Sequence, residues 1–509
     1  MAVARSIAAP EVKRARLDWG RAAPMLGAIA LAAVLNIWAL SQNGYANVYY
    51  SAGVKSMLLS WHNFLFLSAD PAGLISIDKP PLALWVQAGS AEAFGFSPLS
   101  LLLPQAIMGV AAVAALYLIV RKRFGTLAAT ASAFTLAAFP AFVAVSRDNN
   151  VDTLLILLMT LACGVALRAI ETGRLRTLLA SAVLVALAFN TKALAAYLVV
   201  PGIAAGYFCC APGSWRRRVS HLLLAGIVCA GLSVVWMVAV DLTPAAHRPF
   251  VGSSTDNSEL GLTFAYNGFG RVAGQSGGPG AVTDLEALPE VQAHGDSTRA
   301  PTPIARLPKP SPHVAPKVAA TIYQSPIAFG TAPGPLRLFR RGFGDQDAWM
   351  LAFAIVGLLA IALTRPARRD PKLAGLIVFG GFFLCEAGFL SVSKGIVHPY
   401  YLSALGPGIA VMVGVGLDSI VQSARRGQWL PMLTAVIATV AVQIMLLHRA
   451  HYLALWQVLL IPAAAGALIA LRQSRFARTS VAILLAILLL APIAYATTTW
   501  RRPVEGTFP

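Results

Sequence analysis

The sequence predicts an all-α polytopic membrane protein, and three observations support this fold class. Hydrophobic residues make up 57% of the 509-residue chain and charged residues only 12%, against roughly 25% charged residues in a typical soluble protein. Apolar runs long enough to cross a bilayer recur along the whole chain. Basic clusters occur in every second segment that connects these runs. Since one globular core cannot bury so much apolar surface, lipid must solvate it.

Thirteen apolar runs are long enough, or nearly so, to cross about 30 Å of hydrocarbon. They span residues 24–40, 99–120, 126–145, 153–170, 177–190, 193–210, 221–240, 348–364, 373–392, 402–421, 429–447, 452–471 and 479–498. We therefore expect about 13 transmembrane helices. They divide the chain into an N-terminal transmembrane region (1–240), an extracytoplasmic loop (241–347) and a C-terminal transmembrane region (348–509).

The basic residues predict the orientation of the chain. Lys and Arg number 40 against 21 Asp and Glu, a formal net charge of +19. The excess sits in short clusters such as 121–123, 216–218 and 425–426. Because cytoplasmic loops carry an excess of Lys and Arg, we expect a cytoplasmic N-terminus, with 41–98 and 241–347 outside. Topology thus explains the charge, and we expect no nucleic-acid partner.

Two outer segments are too long to be simple connectors. In 41–98, Trp61, Phe64 and Trp85 suit the headgroup region, so we expect interfacial helices on the outer leaflet. In 241–347, the Gly- and Pro-rich portion 275–316 is typical of a flexible loop. Such a loop could lie over a site and become ordered when substrate binds.

Four polar clusters share the predicted outer side, and ionisable residues near a membrane face favour a functional interpretation. They are Asp70 with Asp78-Lys79-Pro80-Pro81, then Arg147-Asp148-Asn149-Asn150-Val151-Asp152, then Asp256-Asn257 with Asn267 and Arg271, and finally Lys394 with His398-Pro399-Tyr400-Tyr401.

Each cluster also has a purely structural interpretation. Asp152 could cap the helix that follows it, and Lys79 could be an interfacial anchor. Arg147 could pair with Asp148. His398 could be an ordinary loop residue beside an aromatic belt. The functional interpretation rests on the presence of four such clusters on one face.

The chemistry of the clusters suits a lipid phosphate. Lys79, Arg147 and Lys394 can neutralise a phosphate at headgroup depth. Aromatic side chains near the face can stack against a sugar or contact a polyprenyl chain. Four carboxylates could take the proton of an attacking hydroxyl group, namely those of Asp70, Asp78, Asp148 and Asp152.

Short stretches of the chain are similar to one family of membrane enzymes. They are Tyr49-Tyr50-Ser51-Ala52, Ser60-Trp61-His62-Asn63-Phe64, Asp78-Lys79-Pro80-Pro81-Leu82, Ser146-Arg147-Asp148-Asn149-Asn150, Ser254-Thr255-Asp256-Asn257-Ser258, Tyr266-Asn267-Gly268, Gly334-Pro335-Leu336-Arg337-Leu338-Phe339 and His398-Pro399-Tyr400-Tyr401. Through them the chain resembles the GT-C-fold glycosyltransferases of family 39. These include protein O-mannosyltransferases and the aminoarabinose transferases that modify lipid A. The resemblance is greatest to bacterial aminoarabinose-transferase-like and mannosyltransferase members.

The resemblance implies a GT-C-like helical bundle in a bacterial inner or plasma membrane, with a periplasmic or extracellular active face. It implies a polyprenyl-phosphate-linked sugar donor and an acceptor on a lipid, glycan or protein. Lys79 matches the family lysine that meets the lipid phosphate. Asp152, with Asp148 as the alternative, matches a second family Asp. Further donor contacts are expected at Tyr50, Asn149, Asn267, His398 and Tyr400. A divalent metal ion is one option, for which Asp78 and His398 could supply ligands.

The acidic residue that family members carry before the first-loop tyrosine is missing here. The chain has Ala46-Asn47-Val48 at that place. The base must then come from elsewhere on the outer face, or the acceptor is handled differently. We expect a single inverting displacement at the anomeric carbon, accelerated mainly by positioning and charge stabilisation.

Two other classes of protein remain open. A transporter or lipid flippase would carry ionisable residues at mid-span and broken helices, and Glu386 and Lys192 give that interpretation some support. A non-catalytic membrane scaffold would explain the missing base. The gathering of the other polar residues at one face favours the enzyme.

Overall fold

A computed structural model describes residues 19–274, 331–473 and 477–504. Within these ranges the chain is nearly all helical, and its only β pairing is two isolated bridges, Ser68 with Ser76 and Ile75 with Phe250. The predicted all-α fold class is confirmed. The predicted flexible portion 275–316 lies outside the described residues, and the division into three regions stays a prediction.

The helices alternate between long apolar ones and short ones in the connecting segments. The α-helices are Trp19–Ile37, Val48–Met57, Trp61–Leu65, Leu82–Phe94, Pro98–Ala137, Pro140–Ser146, Asp152–Thr172, Leu175–Lys192, Val200–Cys210, Trp215–Leu242, Glu259–Gly261, Gly270–Ala273, Gly344–Asp347, Leu351–Leu363, Pro371–Gly375, Gly381–Val392, Gly406–Arg425, Leu430–Arg449, Ala454–Arg472 and Ala477–Ala496. The 3₁₀-helices are Leu40–Asn43, Ala193–Val199, Ala245–His247, Arg337–Phe339, Ala348–Met350, Pro399–Leu405 and Thr497–Trp500, and the π-helical segments are Leu262–Phe269 and Leu376–Gly380.

Eleven helical segments within the described ranges are long and apolar enough to cross a membrane. Two of them, Pro98–Ala137 and Leu175–Cys210, each contain two predicted runs or large parts of them. The first leaves helical geometry at Gly125, where φ is 86°, a conformation that glycine adopts at low cost. The second breaks at Ala193, where φ is 42°. The predicted count of 13 is not confirmed, because each of these two segments counts once and holds two predicted runs. Both breaks nevertheless lie in or beside the gaps between the predicted runs, at 121–125 and 191–192.

The segment Leu175–Cys210 folds back on itself. Gly173, just before it, and Pro212, just after it, are neighbours, since a Cβ atom added to Gly173 would lie 2.7 Å from Cγ of Pro212. The middle of the segment therefore lies far from both of its ends. Lys192 occupies this tip, where the α-helix ends and the backbone turns. A basic residue in an apolar segment thus reaches the face opposite the 216–218 cluster.

The segment Pro399–Arg425 lies at the centre of the bundle, with 94% of its apolar window buried, against 22% for the peripheral Ala454–Arg472. Small residues allow the close packing around it. A Cβ atom on Gly357 would lie 2.4 Å from the carbonyl oxygen of Met412, so the two helix backbones touch, as is common in membranes. The central segment begins with Pro399-Tyr400-Tyr401, which places these tyrosines inside the protein.

The first outer segment forms the short helices Val48–Met57, Trp61–Leu65 and Leu82–Phe94. The indole of Trp85 stacks on Phe64 at 5.4 Å between ring centroids, and its Nε1 donates to the carbonyl oxygen of Phe64 at 2.9 Å. Helices are therefore present where interfacial helices are expected. Their position on the outer leaflet stays a prediction.

Candidate active site

A cavity of about 210 Å³ lies where several distant segments meet. Its polar lining comprises Lys79, Asp152, Lys192, Asn267, Arg271, Glu386 and Tyr401. Its apolar lining includes Leu155, Leu194, Leu198, Phe269, Val272, Phe389 and Leu390. Three cationic side chains and two carboxyl groups therefore share one apolar chamber. Charged groups are expensive to bury at such depth, so their concentration here favours a functional site.

Lys79 stands at one side of this cavity, in the turn that precedes the helix Leu82–Phe94. Its Nζ lies 3.0 Å from Oδ2 of Asp78 and donates to the Asp78 carbonyl oxygen at 3.2 Å. The same carbonyl accepts from Nδ2 of Asn267 at 2.9 Å. This contact joins the first outer segment to the first arm of the long loop. Asp78 supports Lys79 and is not among the residues that line the cavity.

Arg271 is the second cation and is 5% exposed. Its Nη2 donates to Oδ1 of Asn267 at 3.3 Å, and its guanidinium carbon lies 4.8 Å from the ring centroid of Tyr266. The ring of Tyr401 lies 6.0 Å away. Aromatic faces attract a desolvated guanidinium group. None of these three contacts is with a carboxylate, so none neutralises the charge of Arg271. The guanidinium group can therefore also attract an anionic ligand.

Asp152 and Lys192 form a buried ion pair in the wall of the cavity. Nζ of Lys192 lies 2.5 Å from Oδ1 of Asp152, and 4.0 Å and 4.8 Å from the ring centroids of Tyr401 and Tyr400. Oδ2 of Asp152 is buried and has no hydrogen-bond partner among the described residues. Asp152 is the first helical residue, after the N-cap Val151, and makes no side-chain capping bond. The capping interpretation therefore does not account for this carboxylate.

Glu386 lines the same cavity from the helix Gly381–Val392. The residue is 3% exposed, and its Oε1 has no hydrogen-bond partner within the described part of the chain. The two residues that gave some support to a transporter, Glu386 and Lys192, thus belong to the cavity that also holds Lys79 and Asp152. A buried polar atom without a partner requires an explanation, and a polar substrate in the cavity would supply one.

Arg147 lies outside this cavity, contrary to its predicted role at the phosphate. Its guanidinium group is fully buried and donates to five carbonyl oxygens, those of Leu35, Asn36, Trp38, Ala39 and Thr499, at 2.7–3.4 Å. These acceptors lie at the end of the first membrane helix and near the end of the last. Arg147 therefore joins the end of the first membrane helix to the end of the last, and we assign it no role in the chemistry.

Replacing Arg147 with methionine is expected to destabilise the protein by roughly 3 kcal/mol, because several buried carbonyls lose a charged donor. Thermal unfolding of the purified protein measures this effect, with the exposed Arg341→Met as the matched control. Turnover per folded molecule should stay at the wild-type level at low temperature. Full stability combined with lost turnover would return Arg147 to the active site.

Asn149, like Arg147, makes contacts within the protein and does not line the cavity. Its Oδ1 accepts from the backbone N–H of Asn47 at 2.8 Å, and its Nδ2 donates to Oγ of Ser51 at 2.9 Å. Asn47 stands close to the place where the family has its acidic residue, and its own side chain caps the helix Val48–Met57. Asn149 thus joins the segment 146–152 to the segment 41–98, and its contact with substrate stays a prediction.

Asp148 is 3% exposed, and burial raises the pKa of its carboxyl group to about 7. The nearby Asp152 raises this pKa further, while backbone N–H groups of Asn149 and Asn47 lower it. Asp148 is not among the lining residues of the cavity. Because Asp148 lies off the cavity, its position gives the catalytic prediction no support.

The raised pKa of Asp148 predicts a pH-dependent stability. The folded protein binds an extra proton between the ordinary pKa of 3.8 and about 7. The stability that this proton supplies is complete below about pH 4 and is lost as the pH rises to about 7. The unfolding temperature of the wild type minus that of Asp148→Asn should therefore fall across this window and then level off. A flat difference would contradict the assignment.

Two further predicted residues are placed elsewhere. The carboxylate of Asp70 accepts from the backbone N–H groups of Ala72, Leu74 and Ile75 at 2.9–3.0 Å, so it shapes its own turn. The side chain of Lys394 is exposed and does not line the cavity. We therefore assign neither residue to the chemistry.

His398, Tyr400 and Tyr50 form an aromatic surround beside the cavity. The ring of His398 stacks on Tyr400 at 5.1 Å between centroids. Burial, and then the positive charges of Arg271, Lys79 and Lys192, lower the pKa of His398 to about 3, so its imidazole is neutral at pH 7. Tyr50 is 4% exposed, and burial followed by the charge of Asp78 raises its pKa. Of the three rings, that of Tyr400 contacts Lys192, at 4.8 Å from Nζ to the ring centroid, and none of the three lines the cavity.

The side chains that could act as metal ligands give little support to a metal site. Within residues 19–274, 331–473 and 477–504, no group of three or more His, Cys, Asp and Glu side chains could hold one. Asp78 is engaged with Lys79, and His398 stacks on Tyr400. We therefore assign no mechanistic step to a metal bound by Asp78 and His398.

Four lining residues were assigned no role in the site from the sequence, namely Lys192, Arg271, Glu386 and Tyr401. Each carried a signal in the sequence. Lys192 interrupts an apolar run, Glu386 lies within one, and Arg271 and Tyr401 belong to two of the four polar clusters. Only the folded chain shows that all four meet Lys79.

The fold matches solved structures of the GT-C class. ArnT from Cupriavidus metallidurans, bound to undecaprenyl phosphate, superposes with a TM-score of 0.55 at 16% identity, covering 94% of this chain and 77% of that one. The oligosaccharyltransferase of Archaeoglobus fulgidus, in its apo form, gives 0.50 at 16% identity, covering 84% and 56%. At this identity the likeness shows the fold alone. The protein is therefore a multi-pass membrane protein of GT-C fold.

Sequence comparison identifies the family. Residues 78–238 match the family model "Dolichyl-phosphate-mannose-protein mannosyltransferase". "Putative mannosyltransferase YycA" of Bacillus subtilis (strain 168) is 33% identical over 518 aligned positions, covering 92% of this chain and 75% of YycA. "Putative mannosyltransferase YkcB" of the same organism is 35% identical, covering 82% of this chain and 65% of YkcB. The chain therefore belongs to the mannosyltransferase family of these relatives, which is similar to family 39 of the GT-C glycosyltransferases. It is a glycosyltransferase.

Proposed function

We propose that this enzyme transfers a sugar from a polyprenyl-phosphate-linked donor to an acceptor at the extracytoplasmic face of the bacterial cell membrane. The observation that carries the proposal is the cavity of about 210 Å³, in which three cations share an apolar chamber. A polyprenyl phosphate is complementary to such a cavity, because its anionic phosphate suits the cations and its apolar chain suits the apolar lining. The undecaprenyl phosphate bound to ArnT supports this choice of donor.

The orientation follows from the charges at the two ends of the bundle. The cavity lies at the tip of the segment that folds back at Lys192. The basic cluster 216–218 lies near the opposite end, where Arg217 donates to the carbonyl oxygen of Gly173. Because basic clusters mark the cytoplasmic side, the cavity is assigned to the extracytoplasmic side.

The donor phosphate is assigned to Lys79 and Arg271. Both line the cavity, and Asn267 connects them by bonding to the carbonyl of Asp78 and to the guanidinium group of Arg271. Charge-assisted hydrogen bonds from these groups would hold the phosphate and stabilise the charge that grows as it departs. The apolar residues of the lining would take the first part of the polyprenyl chain.

Asp152 is assigned the role of general base for a hydroxyl acceptor. Lys192 holds Oδ1, and the unpartnered Oδ2 is available to accept the acceptor's proton. The acceptor oxygen then bonds to the anomeric carbon while the bond from that carbon to the phosphate oxygen breaks. The departing phosphate keeps the electron pair and is stabilised by Lys79 and Arg271. The proton ends on Asp152, and the sugar is transferred with inversion.

The test is transfer by membranes that contain the enzyme. Wild type is incubated with labelled polyprenyl-phosphate mannose, because the relatives are named mannosyltransferases, and in parallel with the corresponding aminoarabinose lipid. Loss of label from the donor, and the labelled product on lipid, glycan or protein, are followed by chromatography. Turnover of one donor by wild type, and not by a Lys79→Ala/Arg271→Ala double variant, is the expected result. Equal turnover in both, or turnover of neither donor, would overturn the proposal.

A further inference from the structure

A second cavity, of about 430 Å³, lies at the other end of the bundle. The ends of the helices Gly406–Arg425 and Ala454–Arg472 line it, together with the loop that precedes the helix Leu430–Arg449. Arg425 ends the 20-residue helix Gly406–Arg425, which is about 30 Å long at the rise of an α-helix and begins just after the Tyr401 end of the segment. This cavity is therefore distinct from the active site, and the glycosyltransferase reaction does not use it.

Two arginines and a tryptophan give the second cavity its chemistry. Its lining includes Arg425, Arg472, Trp429, Val421, Ala424 and Leu471, and no acidic residue is among the lining residues that the structure describes. Both arginine side chains are exposed. Two guanidinium groups without a carboxylate in the same cavity present unopposed positive charge to a ligand. Their planar forks suit phosphate oxygens.

The helix that begins directly after Trp429 has an exposed apolar face. Leu430, Leu433 and Ile437 are 75%, 40% and 64% exposed, and their spacing of three and four residues places them on one face of the helix. On the neighbouring helix, Ile469 is 66% exposed. In a membrane protein such a face contacts acyl chains, because no water is present at that depth. A ligand with a phosphate and acyl chains would match both surfaces at once.

We propose that this cavity binds the headgroup phosphate of an anionic phospholipid from the leaflet opposite the active site. Arg425 and Arg472 hold the phosphate, and Trp429 lies beside the headgroup, where indole rings are favoured. The acyl chains lie along Leu430, Leu433 and Ile437. Basic pockets between membrane helices on the cytoplasmic side recognise anionic lipids in this way. The proposal is independent of the donor and acceptor of the glycosyltransferase.

The test uses the full chain purified in mild detergent and exchanged with equal amounts of phosphatidylglycerol and phosphatidylcholine. Native mass spectrometry counts the lipids retained. Wild type should retain phosphatidylglycerol preferentially, and the Arg425→Gln/Arg472→Gln double variant should lose about 10- to 30-fold of that preference, the size expected for two arginines near a lipid surface. The matched control is Arg365→Gln/Arg426→Gln, which removes two exposed arginines that do not line the cavity.

The control should keep the wild-type preference, and both double variants should keep wild-type turnover of the donor lipid. If the Arg425→Gln/Arg472→Gln variant does not fold, each single variant gives the same readout with a smaller loss. No preference in wild type would overturn the proposal. An equal loss in the control pair would do so as well. Displacement of the lipid by millimolar inorganic phosphate would point to a soluble anion as the ligand, and would also overturn it.

Discussion

Asparagine in place of Asp152 is expected to lower turnover of the polyprenyl-phosphate sugar about 10³-fold, within the range that general base catalysis contributes. The change keeps the size of the side chain and one oxygen near Lys192, but it removes the group that takes the proton. Binding of the donor should change little, so the loss should fall on kcat. Initial rates measured over a range of donor concentrations separate the two parameters.

The matched control for this change is Asp418→Asn. Asp418 also pairs with a lysine, since Nζ of Lys372 lies 3.3 Å from its Oδ2, but it does not line the cavity. The Asp418→Asn variant should keep wild-type turnover.

Glu386→Gln tests the other carboxyl group of the cavity and is expected to lower turnover less than Asp152→Asn does. A reversed order, with Glu386→Gln nearly inactive and Asp152→Asn active, would move the base to Glu386.

Alanine in place of Lys79 or Arg271 is expected to lower kcat/KM about 10²-fold for each change, because each removes a charge that stabilises the departing phosphate. The phosphate has one negative charge as a diester and gains a second as the bond to the sugar breaks. The contact therefore strengthens in the transition state, and kcat should fall as well as affinity. Rates of donor consumption, with donor binding measured in parallel, give both quantities.

Lys394→Ala is the control that separates the predicted site from the observed one. Lys394 was a predicted phosphate ligand, but its side chain is exposed and lies off the cavity. It should keep wild-type kcat/KM. Equal losses for Lys394→Ala and Lys79→Ala would mean that the phosphate binds on the exposed surface and not in the cavity.

Much of the fold could be predicted because bilayer thickness forces long apolar runs, and these are visible in one sequence. The breaks at Gly125 and Ala193 fall where the predicted runs part, because the basic cluster 121–123 and Lys192 interrupt the apolar sequence there. One feature could not be predicted. The close approach of Gly357 to Met412 depends on which helices become neighbours, and hydropathy does not encode this.

The site could be predicted in part, and the reason lies in side-chain direction. Lys79, Asp152 and Asn267 were predicted and line the cavity. Arg147 is five residues from Asp152, yet its guanidinium group donates to carbonyl oxygens at the ends of the first and the last membrane helix. A sequence places two residues in one cluster but does not say which way each side chain points. Lys192 and Arg271 show the reverse case. They lie in different parts of the sequence, and only the folded chain brings them into one cavity.

A structure of the enzyme with undecaprenyl phosphate bound would show directly where the donor phosphate binds. We predict that the phosphate lies in the cavity between Lys79 and Arg271, within hydrogen-bond distance of both, with Asp152 close to the side that the acceptor approaches. The chain of the lipid should run along the apolar lining. A phosphate bound at Arg147 or Lys394, or a cavity that remains empty while the lipid binds elsewhere, would contradict the account.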